Sequence, residues 1–330
     1  MWHIQEAYID GAFVRVEGQE EIDIVSPATE EVVGRLTLAN REDAKRAIAA
    51  AGGAQSGLGR TTPAERITML RRLQDTMLYC SSAIRDATIE EYGGPVARAQ
   101  WVANYAAQCF AIAAELLEDY AFTYQVGTAR VHMIPAGVSA LIAPWNSTAG
   151  TICSKLASAI AAGCAVVIKP SELSPLQTQV VTEAIHAAGL PAGAVNVVIG
   201  RGYDVGDELS TNEQIQRISF TGSTATGKLI ARAGLATMKR VSLALSGKSA
   251  SVVLDDADLG RAIPLAIRAA FTNSGQACVA GTRLLIPRSR MTEALERVRR
   301  EVDALRVGDP HDPHTSIGPL VNAAQVERIQ

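Results

Sequence analysis

Hydrophobic and polar positions follow two rhythms along this chain, and the change between them falls near Val138. Before it, Tyr8 to Val16 and Glu21 to Ile24 alternate with the short period of edge strands, and Ser26-Pro27-Ala28-Thr29 turns the chain. Helical spacing then takes over. Asn40-Arg41-Glu42-Asp43 resembles a capping box leading into Ala44 to Ala51, and Thr62-Pro63-Ala64-Glu65 opens a second helix with proline in its first turn. Ile67, Leu70, Leu73 and Met77 recur at helical spacing in that second helix. Further helices are predicted for Ser81 to Glu91 and Val96 to Glu118, with alanine-rich faces that read as core. No internal repeat or low-complexity segment interrupts the pattern.

From Val138 onward, apolar runs at Val138–Ile142, Ala165–Ile168, Val195–Ile199 and Arg217–Phe220 are separated by helical segments. That succession predicts a parallel sheet with crossover helices. Ligands of such sheets bind beyond the carboxyl ends of the strands. Four distinctive segments fall there: Pro144-Trp145-Asn146, Lys169-Pro170-Ser171-Glu172, Gly200-Arg201-Gly202 and Thr221-Gly222-Ser223. The uncharged stretch from Met133 to Ser154 is about as long as a membrane span. Pro135, Pro144 and Asn146 argue instead for a buried strand, a turn and a helix start.

Composition narrows the classes without naming a reaction. With 330 residues, 48% hydrophobic and 20% charged, the chain can bury a large core and should form two or more domains. A net charge of −3 offers no basic footprint for nucleic acid. The five cysteines and five histidines lack metal-ligand or disulfide-framework spacing, so a reducing cytoplasm fits best and no metal is expected. Met1 to Glu6 carries no basic region followed by an apolar run, the pattern of a signal peptide.

Candidate chemistry concentrates in Phe271-Thr272-Asn273-Ser274-Gly275-Gln276-Ala277-Cys278-Val279-Ala280-Gly281-Thr282-Arg283. A cysteine is by default a small buried hydrophobe, and Cys80, Cys109, Cys153 and Cys164 sit in apolar or helical surroundings that suit this default. Cys278 sits in a polar segment between Gly275 and Gly281, where a helix end could place free N–H groups near a thiolate. It is the candidate nucleophile. Gly200-x-Gly202-x-x-x-Gly206 suggests a phosphate-binding loop, but its spacing departs from the dinucleotide fingerprint and suits a plain turn equally.

Taken in order, Pro144 to Asn146, Lys169 to Glu172, Phe220 to Ser223, Leu243 to Ser249 and Phe271 to Arg283 resemble the motifs of the NAD(P)-dependent aldehyde dehydrogenases. The similarity runs from about Ala7 to the last residue. It implies an aldehyde dehydrogenase-like α/β fold, with a Rossmann-like parallel-sheet cofactor domain (1–118 and 137–246), a candidate oligomerisation hairpin (119–136) and an incomplete α/β catalytic domain (247–330). By the same resemblance Cys278 attacks a small aldehyde, while Asn146 and the Cys278 N–H form the oxyanion hole. Ile142, Trp145, Lys169, Glu172, Gly202, Gly206, Thr221, Gly222, Ser223 and Leu245 are implied to hold the cofactor. Ser223 would offer a helix N-terminus to its pyrophosphate, and Lys169 and Glu172 would reach ribose hydroxyls. An acid at Glu172 repels a 2′-phosphate, so NAD is expected over NADP.

Two departures from the family pattern stand out. Ala244 occupies the place of the glutamate that activates water to hydrolyse the thioester, and Ser246-Gly247 replaces a Gly-Gly pair. Hydrolysis should therefore be impaired, unless coenzyme A takes the acyl group or the chain is a non-catalytic remnant. The helical pattern of Val321 to Gln330 also runs on without a stop signal. The family's length implies further catalytic-domain residues and an oligomerisation strand beyond Gln330. Lacking that cover, the chain is expected to expose apolar surface and a strand edge.

Overall fold

The computed structural model describes residues 1–330. Five strands, β1 (Trp2–Ile4), β2 (Glu6–Ile9), β3 (Ala12–Arg15), β4 (Glu21–Val25) and β5 (Val32–Thr37), open the chain. The run expected as one edge strand over Tyr8 to Val16 is a hairpin, β2 against β3, because Asp10 and Gly11 both take positive φ (54° and 82°). An Asp-Gly pair favours such a turn, and the signal was present in the sequence. Strand β4 belongs to a separate sheet, ordered β1-β5-β4.

Four helices follow: α1 (Arg41–Gly59), α2 (Pro63–Tyr79), α3 (Ser81–Tyr92) and α4 (Val96–Glu118). The expected capping box forms between Asn40 and Asp43, and the second helix start, with Pro63 in its first turn, is also closed by a capping box of Thr62 with Glu65. Helix α1 runs well past Ala51, through Gly52-Gly53. Glycine there weakens local helix preference, but Gln55 fastens the helix by bonding Gly163 O and Ala165 N. Beyond α4, β6 (Thr123–Val126) and β7 (Ala129–His132) form an isolated antiparallel hairpin.

The expected alternation then appears as β8 (Ser139–Ile142), α5 (Thr148–Ala161), β9 (Val166–Lys169), α6 (Pro175–Ala187), β10 (Val195–Val197), α7 (Asp207–Thr211), β11 (Arg217–Gly222), α8 (Thr224–Leu235) and β12 (Arg240–Leu245). The uncharged stretch from Met133 is thus a strand, a turn and a helix start, and no helix is long and apolar enough to cross a membrane. The seven-stranded sheet reads β12-β11-β8-β9-β10-β2-β3. Strands β8 to β12 are mutually parallel, whereas β2 and β3 extend the sheet antiparallel. From β8 the chain builds outward through β9 and β10, then returns to the other side of β8 for β11 and β12. The reversal between β8 and β11 is a topological switch point, where sheets of this kind leave a crevice.

One apolar core joins this sheet to the helices, with Phe110, Leu70, Leu73, Met77, Ile152 and Ile168 fully buried. A second, small core packs around β13 (Ala250–Val252), α9 (Leu259–Ala270), β14 (Arg283–Leu285) and α10 (Met291–Asp303), centred on Leu259, Ile263 and Ala294. A short helix, α11 (Ala323–Ile329), follows with Asn322 as its N-cap.

Glu91, at the end of α3, is buried, and its two carboxyl oxygens accept N–H bonds from Leu176 and Gln177 at 2.5 and 2.9 Å. It thereby caps the start of α6. Burial pushes this carboxyl up from 4.5 to about 8, against the opposing pull of those donors. A raised native value means the folded chain keeps a proton that the unfolded chain has lost, so this contribution to stability falls as pH rises from about 4.5 to about 8. Glu91→Gln should abolish that part of the slope. It should also cost about 1–3 kcal/mol at pH 5, because one amide oxygen cannot serve both donors. Urea unfolding at pH 5 and pH 8 measures both effects; an unchanged slope in the variant would exclude Glu91 as its source.

Candidate active site

The turn after β8 and the ends of β9 and β11 open onto one cleft of about 740 Å³. Ile142, Trp145, Lys169, Glu172, Gly202, Gly206, Thr221, Gly222 and Ser223 all line it. Its size suits a cofactor site, and its wall is partly apolar, with Ala143, Leu229 and Ile230 beside the polar groups. Ser223 is the N-cap of α8, and its Oγ accepts the Thr226 N–H at 3.1 Å. The earlier N–H groups of that first turn have no acceptor within the helix and can serve an anion.

The glycine loop takes a form that neither expectation named. Gly202–Gly206 winds a single π-helical turn that runs directly into α7. Lys169 is not a loose surface charge: it is buried, with Nζ donating to Pro170 O at 2.9 Å and lying 3.8 Å from Glu172. Burial lowers its pKa, while Glu172 opposes that shift. Glu172 is held on its other side by Arg201 at 3.3 Å. Leu245 pairs with Gly222 across β12 and β11, so its backbone adjoins the cleft wall while its side chain turns toward α8. It lines neither the cleft nor the cavity described next, and its side chain fills the space that a Cβ on Gly227 of α8 would need, with Cδ2 only 2.5 Å away.

A second cavity, of about 310 Å³, contains Cys278, Asn146 and Ala244 in its wall. It shares Pro144, Trp145, Thr221, Gly222 and Ser223 with the cleft, so the two have a common wall. Ala244 reaches it because β12 pairs with β11 in a register that sets Ala244 opposite Thr221. Of the five free cysteines, only Cys278 is exposed.

The backbone around Cys278 differs from the expected helix end. Helix α9 stops at Ala270, and the chain then enters a short turn in which Asn273, Ser274 and Gly275 all have positive φ (57°, 55° and 74°). No regular helix begins at Cys278. Gly281 takes no left-handed conformation, and a Cβ there would crowd only the Ser251 hydroxyl, at 2.5 Å.

Side chains from three directions hold this turn. Arg98 of α4 donates to Asn273 Oδ1 at 2.9 Å, and the Tyr92 hydroxyl of α3 donates to Asn273 O at 2.9 Å. Asn273 Nδ2 donates to Asn146 O at 2.8 Å, while Asn146 Nδ2 donates to Gln276 O at 2.6 Å. From the C-terminal segment, the Gly318 N–H meets Ser274 Oγ at 3.0 Å and the Val321 N–H meets Gln276 Oε1 at 3.2 Å. An amide carries two hydrogens, so Asn146 keeps one for a second acceptor. Burial pushes Tyr92 up and Arg98 down in pKa. The sequence reading missed Tyr92, Arg98, Asn273 and Gln276 as supports. For Arg98 the one signal was a charge in an alanine-rich helix, while Asn273 and Gln276 lay in the polar segment already singled out around Cys278.

With this geometry in place, comparison with known proteins is decisive about class. The model of the aldehyde dehydrogenase family matches residues 13–330, and the chain belongs to that family. It is 38% identical over 328 residues to 3-succinoylsemialdehyde-pyridine dehydrogenase of a Pseudomonas species, covering 99% of this chain and 69% of that protein. Aldehyde dehydrogenase C of Pseudomonas syringae, solved as a cysteine-to-alanine mutant with NAD+ and octanal, superposes with a TM-score of 0.96 at 39% identity over 98% of this chain and 67% of that one. An Escherichia coli NADP-dependent enzyme superposes at 0.92 with 33% identity, covering 99% and 69%. Family membership places the chain among the NAD(P)-dependent aldehyde oxidoreductases.

Arg98→Ala should free the Asn273 carboxamide and loosen the turn, at a cost of about 1–3 kcal/mol in stability. The rate at which a chromogenic disulfide labels Cys278 should change as well, while the buried cysteines stay inert. An unaltered labelling rate together with an unaltered melting temperature would remove Arg98 from the support of the turn before Cys278.

Proposed function

We propose that this chain oxidises a small aldehyde through a thioester on Cys278, with NAD as the hydride acceptor and with release of the acyl group impaired. The observation that carries the proposal is that the cavity containing Cys278 and the larger cleft share a wall of Pro144, Trp145, Thr221, Gly222 and Ser223. In this reading, 1–118 and 137–246 hold the cofactor, 247–330 carries the thiol, and the hairpin within 119–136 is a candidate oligomerisation surface. A reducing cytoplasm would keep the exposed thiol available.

The Cys278 thiolate forms a C–S bond to the aldehyde carbon, and the carbonyl electron pair moves to oxygen. Asn146, through its second N–H, and the Cys278 backbone N–H take that oxyanion. One such fixed donor is typically worth about 2.7–4 kcal/mol of barrier. The cofactor, when bound, supplies the acceptor for the hydride lost from that carbon. Loss of hydride and return of the oxygen electron pair leave the thioester. Ser223 and the first turn of α8 would bind the pyrophosphate, and Lys169 and Glu172 a ribose. Hydrolysis then needs a base to take a proton from water, and alanine at 244 has none.

A positioned general base contributes about 10²–10⁴-fold. The expected trace with NAD and an aldehyde is therefore a burst near one equivalent of NADH per site, followed by slow turnover. Ala244→Glu should raise the steady rate far more than the burst. Acceleration of the unmutated chain by coenzyme A would replace hydrolysis with acyl transfer. Absence of both the burst and the rescue would instead favour a non-catalytic chain.

NAD is proposed over NADP because Glu172 lines the cleft where a ribose would lie. Titration of both cofactors should give a lower Kd for NAD. Equal or tighter NADP binding would refute this preference.

A further inference from the structure

We propose that Glu20 and Arg201 together set how strongly the cleft rejects a 2′-phosphate; the inference rests on the dinucleotide reading above. Arg201, which follows β10, donates from Nη2 and Nε to Glu20 Oε1 at 2.6 and 3.1 Å. Its Nη1 donates to Glu172 Oε1 at 3.3 Å. Glu172 in turn lies 3.8 Å from Lys169 Nζ. Four charges thus form one chain, Glu20–Arg201–Glu172–Lys169, in which two carboxylates and two cations sum to zero. Asp207, a further carboxylate on the cleft wall, is already engaged by Arg41 at 2.7 Å.

A carboxylate beside a ribose excludes a 2′-phosphate by repulsion, and a nearby arginine offsets it. Here the offset is divided. The cleft wall includes Glu172 and, from the last turn of α8, Arg232, but not Arg201, which reaches the cleft through its bond to Glu172 and so acts as a positioning residue. Glu20, contributed by the distant segment just before β4, competes for the same guanidinium. Removing Glu20 leaves the chain at +1 and commits Arg201 to Glu172, which should admit the phosphate. Removing Arg201 leaves it at −1 and should strengthen exclusion. Uncharged ribose hydroxyls sense either change far less than a phosphate does.

The test is titration of the whole chain with NAD and with NADP, by calorimetry, for the unaltered protein, Glu20→Ala, Glu20→Gln and Arg201→Met. The ratio of NADP Kd to NAD Kd should fall on the order of tenfold in both Glu20 variants and rise on the order of tenfold in Arg201→Met. The NAD Kd itself should move less than about threefold, and both shifts should shrink as salt screens the charges. Glu20→Gln keeps a hydrogen-bonding side chain, which separates loss of charge from loss of packing. NAD binding with an unmoved ratio, or shifts of the same sign in the Glu20 and Arg201 variants, overturns this inference alone. Failure of the unaltered chain to bind either cofactor overturns the dinucleotide reading with it.

Discussion

Everything at the thiol end depends on holding Asn273, Ser274 and Gly275 in consecutive left-handed conformations. Each non-glycine residue there costs roughly 1–2 kcal/mol relative to right-handed backbone. The turn persists because its groups are bonded by residues remote in sequence: Tyr92 and Arg98 reach Asn273, Asn146 meets both Asn273 and Gln276, and Gly318 meets Ser274. Local strain is offset by tertiary hydrogen bonds, an arrangement common where a reactive group must be held away from regular structure. Cys278 itself stays exposed while its neighbours Asn273 and Ser274 are buried.

The same bonds join the two halves of the chemistry. Asn146 sits in the turn after β8, the central strand at the switch point, so the sheet that frames the cleft also supports the turn before Cys278. Cleft and cavity therefore share a wall built from the ends of β8 and β11. A shift of either strand end would move both at once.

Electrostatics in the cleft is likewise a matter of assembly. Lys169 and Glu172 are three residues apart on one strand end, but the groups that complete their charge balance come from Arg201 and Glu20. Lys169 is buried nearly completely, and a buried ammonium needs such partners to remain charged.

The sequence by itself determined the alternation of strands and helices after Val138, the helix starts at Asn40 and Thr62, the ordered motifs that mark the family, and an alanine without a carboxylate at position 244. Each is written in local pattern or in residue identity, and neither needs a distant partner to be read. Period-two and helical spacing report which face is buried, and a missing carboxylate is missing in any fold. Tertiary structure alone decided that α1 continues through Gly52-Gly53, that β12 joins the sheet beside β11, and that the Leu245 side chain packs against Gly227 of α8. It also decided which polar side chains of α3 and α4 grip the turn before Cys278, and which carboxylates share Arg201. Those outcomes rest on contacts between residues tens to nearly two hundred positions apart, whose free energies arise only once the sheet has brought the partners within bonding distance.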